Sequence, residues 1–193
     1  MNPEEQDALT EALAAEHAAV YAYGVVAARA LPGRTGAVRA ATDVHEQRRD
    51  ALVAALTAAG ASAPVAAPGY LLPVVVTNGE QAIALALAVE EGVALAWHSV
   101  LERSEPGTAP ATPLPTRTTT PTSAPAPASN PSSTPAPASS DLVTAPSAPG
   151  GTYAVRPTAL AALTDCAVRA TGWRRVLGTS PATTAFPGTG VRG

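Results

Sequence analysis

Two glutamates stand where a helical bundle would want leucine. Leu9, Leu13, Glu16, Val20, Tyr23 and Ala27 recur at alternating spacings of four and three, which puts Glu16 on the core-facing seam of a long helix. Ile83, Leu87, Glu90, Ala94, Trp97 and Leu101 repeat that spacing, with Glu90 in the matching slot and Trp97 over Tyr23, the pattern of a weak internal duplication. A carboxylate in such a slot must be paired, metal-bound or protonated.

Candidate partners lie on two other helical stretches. Val38, Thr42, His45, Arg49, Leu52, Leu56 and Ala59 form one seam, and Asp165, with Arg169 one turn on, sits near another. Measured from the ends of the expected helices, Glu16, His45, Arg49, Glu90 and Asp165 all fall near mid-height, which predicts a polar layer inside the bundle. Two chemistries fit it. Glu16, His45, Glu90 and Asp165 together offer oxygen and imidazole ligands to a single iron, manganese or zinc ion. Alternatively, Arg49, with Arg169, neutralises the glutamates as a buried ion-pair network that fixes helix register. Counted from the turn at Pro32-Gly33, Glu16 and Arg49 are equidistant and His45 is a full turn nearer, so Arg49 is the predicted partner of Glu16. Tyr21, Tyr23 and Trp97 read as core packing rather than redox residues, and His17 and His98 as flank positions. No Ser-His-Asp arrangement or phosphate-binding glycine loop is present, so no catalytic residue is assigned.

The elements that must hold this layer are legible from caps and breaks. Asn2, Pro3 and Glu5 make a capping-box start for a helix to about Leu31, which Pro32-Gly33 ends. A second helix runs from Arg34–Ala37 to Ala59, stopped by Gly60. Residues 60–77 contain Pro64, Pro68, Gly69 and Pro73 and cannot be helical, yet Tyr70, Leu71, Leu72 and Val74–Val76 give them apolar side chains. At roughly 3.3 Å per residue this extended strap reaches far enough to return along the second helix, so the third helix can run parallel to the second. Thr77-Asn78-Gly79-Glu80 reads as a capping box opening helix 3, which continues to Arg103, and Thr158–Leu177 reads as helix 4, with core residues Leu160, Leu163, Ala167, Ala170 and Leu177. Leu85, Val89 and Val93 lie off the helix 3 seam and need cover from the strap or from a dimer partner.

The expected organisation is therefore residues 1–104 for helices 1–3, 105–155 for a disordered Pro/Ser/Thr/Ala-rich insertion, 156–178 for helix 4, and 179–193 for a disordered tail. The chain is all-α, a four-helix bundle with a long crossover between helices 2 and 3. Its formal net charge is −3 and all 12 basic residues are arginine, spread without a basic patch, so nucleic acid is not an expected partner. A lone cysteine, Cys166, excludes an internal disulfide and suits a reducing compartment as a small core residue. The acidic start lacks an apolar leader, and the run Ala82–Val89 is too short to span a bilayer. The expectation is a cytoplasmic protein with no membrane partner and, through helix 3, a possible homodimer.

A glutamate on helix 1, an imidazole on helix 2, a long crossover, a glutamate on helix 3 and a fourth helix resemble the ferritin superfamily. The stretches Ala-Ala-Glu-His-Ala-Ala-Val-Tyr-Ala-Tyr-Gly and Thr-Asp-Cys-Ala-Val-Arg are similar to an uncharacterised ferritin-like branch in GC-rich bacteria, over residues 4–104 and 156–177. That resemblance implies a ferritin-like bundle in which Glu16 and Glu90 match the single glutamates of helices 1 and 3. It also implies two Glu-x-x-His motifs, and these are missing: helix 2 offers Thr42-x-x-His45 or Glu46-x-x-Arg49, helix 4 Asp165-x-x-Val168. Most ligands of a di-iron centre are thereby removed, and with them the expectation of ferroxidase or oxygenase activity. What remains is an uncharacterised bundle with a structural or weakly metal-binding polar layer, against the alternatives of a metal-dependent oxidoreductase or metal-handling protein and a dimeric interaction module.

Overall fold

Asn2 accepts the Glu5 backbone N–H at 2.7 Å and Pro3 opens the first turn, so α1 begins where its capping signal lies and spans Pro3–Ala28. Helices α2 (Thr35–Ala58), α3 (Gly79–Arg103) and α4 (Val155–Val176) follow in the computed structural model, which describes residues 1–104, 154–184 and 187–189. The described residues contain no strand. Nearly all of the expected insertion 105–155 lies outside them.

Two helix ends are built by glycine in the left-handed region. Gly60 (φ +74°) and Gly178 (φ +70°) let the next residues, Ala61 and Thr179, turn their N–H groups back to Leu56 and Arg174 at 2.9 Å each. At the start of α3 the capping box sits one residue later than the sequence suggested. Asn78 accepts from Gln81 N–H, while the Gln81 side chain accepts from both the backbone and hydroxyl of Thr77. Gln81 can reach back a further residue, and so displaces Glu80 from that role.

Side-chain pairs define the packing. Glu11–Arg103, Glu16–Trp97 and Tyr23–Glu90 run in opposite sense along α1 and α3, so these helices are antiparallel neighbours. α1 also packs on α2 and α3 on α4, and the strap 59–78 returns the chain between α2 and α3. Along 71–76 the strap alternates strictly: Leu72, Val74 and Val76 pack on the core, Leu71 and Val75 face outward. His17 binds the Pro64 carbonyl at 3.2 Å and Tyr21 packs on Tyr70, tying the strap to α1.

Each seam is rotated slightly from its heptad reading. On α1 the core positions after Glu16 are Ala19, Ala22, Tyr23 and Val26, with Val20 only half-buried, because a straight helix drifts off a seven-residue repeat. On α4 Leu160 is exposed, and Ala159, Ala162, Cys166 and Trp173 join Leu163 and Ala170 inside. Leu85, Val89 and Val93 of α3 are buried in the chain's own core. By length and composition α3 would suffice to cross a membrane; Ile83, Leu85, Val89, Val93, Trp97 and Val100 lie in this core, while Leu95 is exposed. In the C-terminal segment, expected as a tail, Gly188 lies so close to α3 that a Cβ there would come within 2.7 Å of the Ala94 carbonyl oxygen.

Candidate functional site

Glu16, His45 and Glu90 meet at mid-height with no exposed surface. The imidazole stands between the carboxylates: Nδ1 is 2.6 Å from Glu16 Oε2 and Nε2 is 3.4 Å from Glu90 Oε1. The other Glu16 oxygen accepts the Trp97 indole N–H at 2.7 Å. Glu90 Oε1 accepts the Tyr23 hydroxyl at 2.5 Å and the Arg169 Nε–H at 2.7 Å. Tyr23 in turn accepts the Trp173 indole N–H at 3.1 Å.

This wiring obeys the duplication seen in the sequence. Trp97 follows Glu90 by the spacing at which Tyr23 follows Glu16, yet each aromatic donates to the glutamate of the other helix. An antiparallel pair of equivalent helices exchanges its polar groups in this way. Each glutamate also receives a basic side chain from a flanking helix, His45 of α2 for Glu16 and Arg169 of α4 for Glu90.

At the edge of the layer Asp165 Oδ2 accepts from Arg48 and from Arg169, each at 2.5 Å. Asp165 is 42% exposed and touches neither Glu16 nor His45. Arg48 and Arg169 also reach the Cys166 sulfur, at 3.4 and 3.6 Å. Of the residues nominated from sequence, the structure therefore unites Glu16, His45 and Glu90 and leaves Asp165 one arginine away. Among the described residues no group of three or more His, Cys, Asp or Glu side chains is arranged to hold a metal ion.

The expected partner of Glu16, Arg49, is not in the layer. It bonds Asp50 at 2.8 Å on the surface. Helix α1 ends at Ala28 and α2 begins at Thr35, which puts Glu16 level with the turn of α2 between His45 and Arg49, so rotation about α2 decides which of them faces it. Four residues beyond His45, Arg49 is turned roughly 40° round the helix, onto its flank. Arg49→Ala is accordingly expected to change the urea midpoint by less than about 1 kcal/mol equivalent, since exposed pairs contribute little; a loss of several kcal/mol would restore it to the layer.

Arg48 and the indole and phenol donors are members of the layer that the sequence pattern does not single out. The signal for the aromatics was present, because a buried Tyr or Trp needs a partner for its polar end and both sit two turns from a buried glutamate. For Arg48 it was position alone, one turn beyond His45 on the same helix.

Electrostatics close the layer. Burial pulls the His45 pKa down, but hydrogen bonds to Glu16 and Glu90 and their charges outweigh it and raise the pKa above 6.5. Burial opposes ionisation of Glu90, yet the bonds from His45 and Arg169 hold its carboxyl at about 2. Desolvation pushes the Cys166 thiol up to about 12, so it is an inert neutral group. Glu16, Glu90 and Asp165 thus face Arg48, Arg169 and His45, whose protonated form the two glutamates favour. One atom is left over: Glu90 Oε2 is buried without a hydrogen-bond partner.

Over the described residues, fold and site together define an all-α arrangement of four helices organised round a buried polar layer. Residues 8–109 and 103–191 match the family described as a domain of unknown function, DUF4439, and the chain belongs to that family. It is similar to a solved structure, a conserved hypothetical protein, rv2844, from Mycobacterium tuberculosis, at 34% identity and TM-score 0.65, covering 95% of this chain and 97% of that one. No curated protein matches significantly.

Proposed function

We propose that the protein is a ferritin-like bundle whose mid-bundle layer is a structural ion-pair network standing where a metal centre would lie, so that it serves as a non-enzymatic scaffold. One observation carries this reading: the Arg169 guanidinium, 2.7 Å from Glu90 Oε1, supplies the cation that a metal would otherwise supply. Both Glu16 oxygens and both His45 nitrogens are likewise engaged within the protein. Residues fit for a di-iron centre are lacking, since α2 and α4 carry no Glu-x-x-His. The absence of a basic patch and the lone buried cysteine support a cytoplasmic role without nucleic acid or membrane.

A second reading has its own support. It keeps Glu16, His45, Glu90 and Asp165 as ligands of a single iron, manganese or zinc ion: the spare Glu90 oxygen favours it, and it requires the His45 ring to turn out from between the two glutamates and Asp165 to give up its arginines. Metal analysis of untagged protein separates the two. The ion-pair reading expects substoichiometric metal and a melting temperature unchanged by chelator. Stoichiometric iron or manganese, lost in Glu16→Ala and Glu90→Ala variants that stay helical, would overturn it. The homodimer is tested by light scattering at micromolar concentration, where a monomer removes it.

A further inference from the structure

The groove between α3 and α4 holds a pocket of about 440 Å³, within the size range of small-molecule sites. Its floor is apolar and short, with Ala94 and Leu95 from α3 and Ala167 and Ala170 from α4. Thr184 and the segment 187–189 form another wall. Gly188 lets that wall close on α3, since a Cβ there would come within 2.7 Å of both the Ala94 carbonyl oxygen and the His98 Cβ. Glu90 also borders the pocket but has no exposed surface, so the charged groups that a molecule inside can reach are Glu91 and Arg174.

Those two pair with each other, and their burial is unequal. Arg174 is 14% exposed and donates to Glu91 and, at 3.3 Å, to the Ala182 carbonyl; Glu91 is 49% exposed. A guanidinium shielded from water needs an anion, whereas a half-exposed carboxylate is solvated without a partner. Glu91 is therefore the dispensable half of the pair. Thr171 donates its hydroxyl proton to the Ala167 carbonyl at 2.9 Å, which leaves Arg174 as the cationic donor, while Thr184 and Thr189 keep the opposite wall polar. We propose that the pocket binds a small amphipathic carboxylic acid as its anion, with its hydrocarbon body on the alanine and leucine floor and its carboxylate on Arg174 in place of Glu91. Neither Arg174 nor Glu91 bonds to the polar layer, so the proposal does not rest on the ion-pair reading.

Phenylacetate, phenylacetamide, phenethylamine and acetate are suitable probes, titrated into the full-length protein and followed by NMR of the amides and the Arg174 Nε–H. Phenylacetate is expected to give saturable shifts at Gly92, Ala94, Ala170 and Arg174. The neutral amide should bind about tenfold more weakly, for want of a charge-assisted bond. Phenethylamine lacks the anion and acetate the hydrocarbon, and both should be weaker than phenylacetate. Glu91→Gln removes the competing carboxylate and should tighten phenylacetate severalfold. Arg174→Gln should bring it down to the level of the amide, and Ala167→Leu should fill the pocket and abolish the shifts from both while the helical spectrum persists. If Arg174→Gln does not fold, the other two variants, which keep the guanidinium, decide. An amide or acetate as tight as phenylacetate, a tighter amine, or no gain in Glu91→Gln would each overturn the proposal. So would binding that survives Ala167→Leu, or the absence of saturable shifts at millimolar phenylacetate.

Discussion

Arg169→Ala is expected to destabilise the protein by about 3–5 kcal/mol, the cost of leaving a buried carboxylate without its cation. Arg169 is mostly buried, and its Nε–H and Nη1–H engage Glu90 and Asp165, so truncation strips Glu90 of its strongest charge partner while Tyr23 and His45 stay in place. The remedy follows from the same physics. In Arg169→Met/Glu90→Gln the apolar stem is restored and the orphaned charge removed, with an acceptor kept for Tyr23, so the double variant should recover at least half of the loss. Urea unfolding of the wild type, Arg169→Met, Glu90→Gln and the double variant gives the coupling directly. A cost below about 1 kcal/mol for Arg169→Ala would mean that another cation or water compensates Glu90, and the ion-pair account of the layer would fall.

The second large effect is on pH dependence. Glu90, held at about 2 against an ordinary 4.5, contributes roughly 3 kcal/mol that is fully present above pH 4.5 and is lost as pH falls toward 2. His45 works in the other direction. Its folded pKa is raised above the unfolded 6.5, so its contribution is complete below 6.5 and is lost as pH rises through the folded value. The layer is therefore strongest between about pH 4.5 and 6.5, and stability should decline on both sides. His45→Gln should flatten the alkaline limb and reduce the acid limb, because His45 helps to hold Glu90 low, while Glu90→Gln should flatten the acid limb and reduce the alkaline one. Chemical unfolding across the range tests it: a wild-type curve flat from about pH 6 to about pH 9 is incompatible with a protonated imidazole between these carboxylates.

Caps, breakers and the repeating seam make the helices themselves legible. Asn2, Gly60 and Gly178 act where they stand in the sequence, because capping is a matter of a few consecutive residues. The two seam glutamates are legible too, since a charge in an apolar register has few explanations, and the duplication of Glu16-to-Tyr23 in Glu90-to-Trp97 is visible before any coordinates. What the duplication does is not visible. That Tyr23 and Trp97 are exchanged between the helices depends on α1 and α3 being antiparallel and in register, a fact of packing between segments far apart in the chain.

The choice of cation was also tertiary. From sequence Arg49 and His45 are both basic helical residues at nearly the right height, and the rotation of α2, which turns His45 inward and Arg49 onto the flank, decides between them. Arg48 and Arg169 are drawn inward because Asp165 and Glu90 lie across the interface from α2 and α4, which no local pattern reveals. Sequence alone determined four helices, a strap and two buried carboxylates in need of partners, because these follow from periodicity, caps and the cost of burying charge. Only the tertiary structure decided who the partners are and left Glu90 Oε2 as the one buried side-chain oxygen still unpaired among the described residues, because helix register and rotation arise from the packing of the whole core.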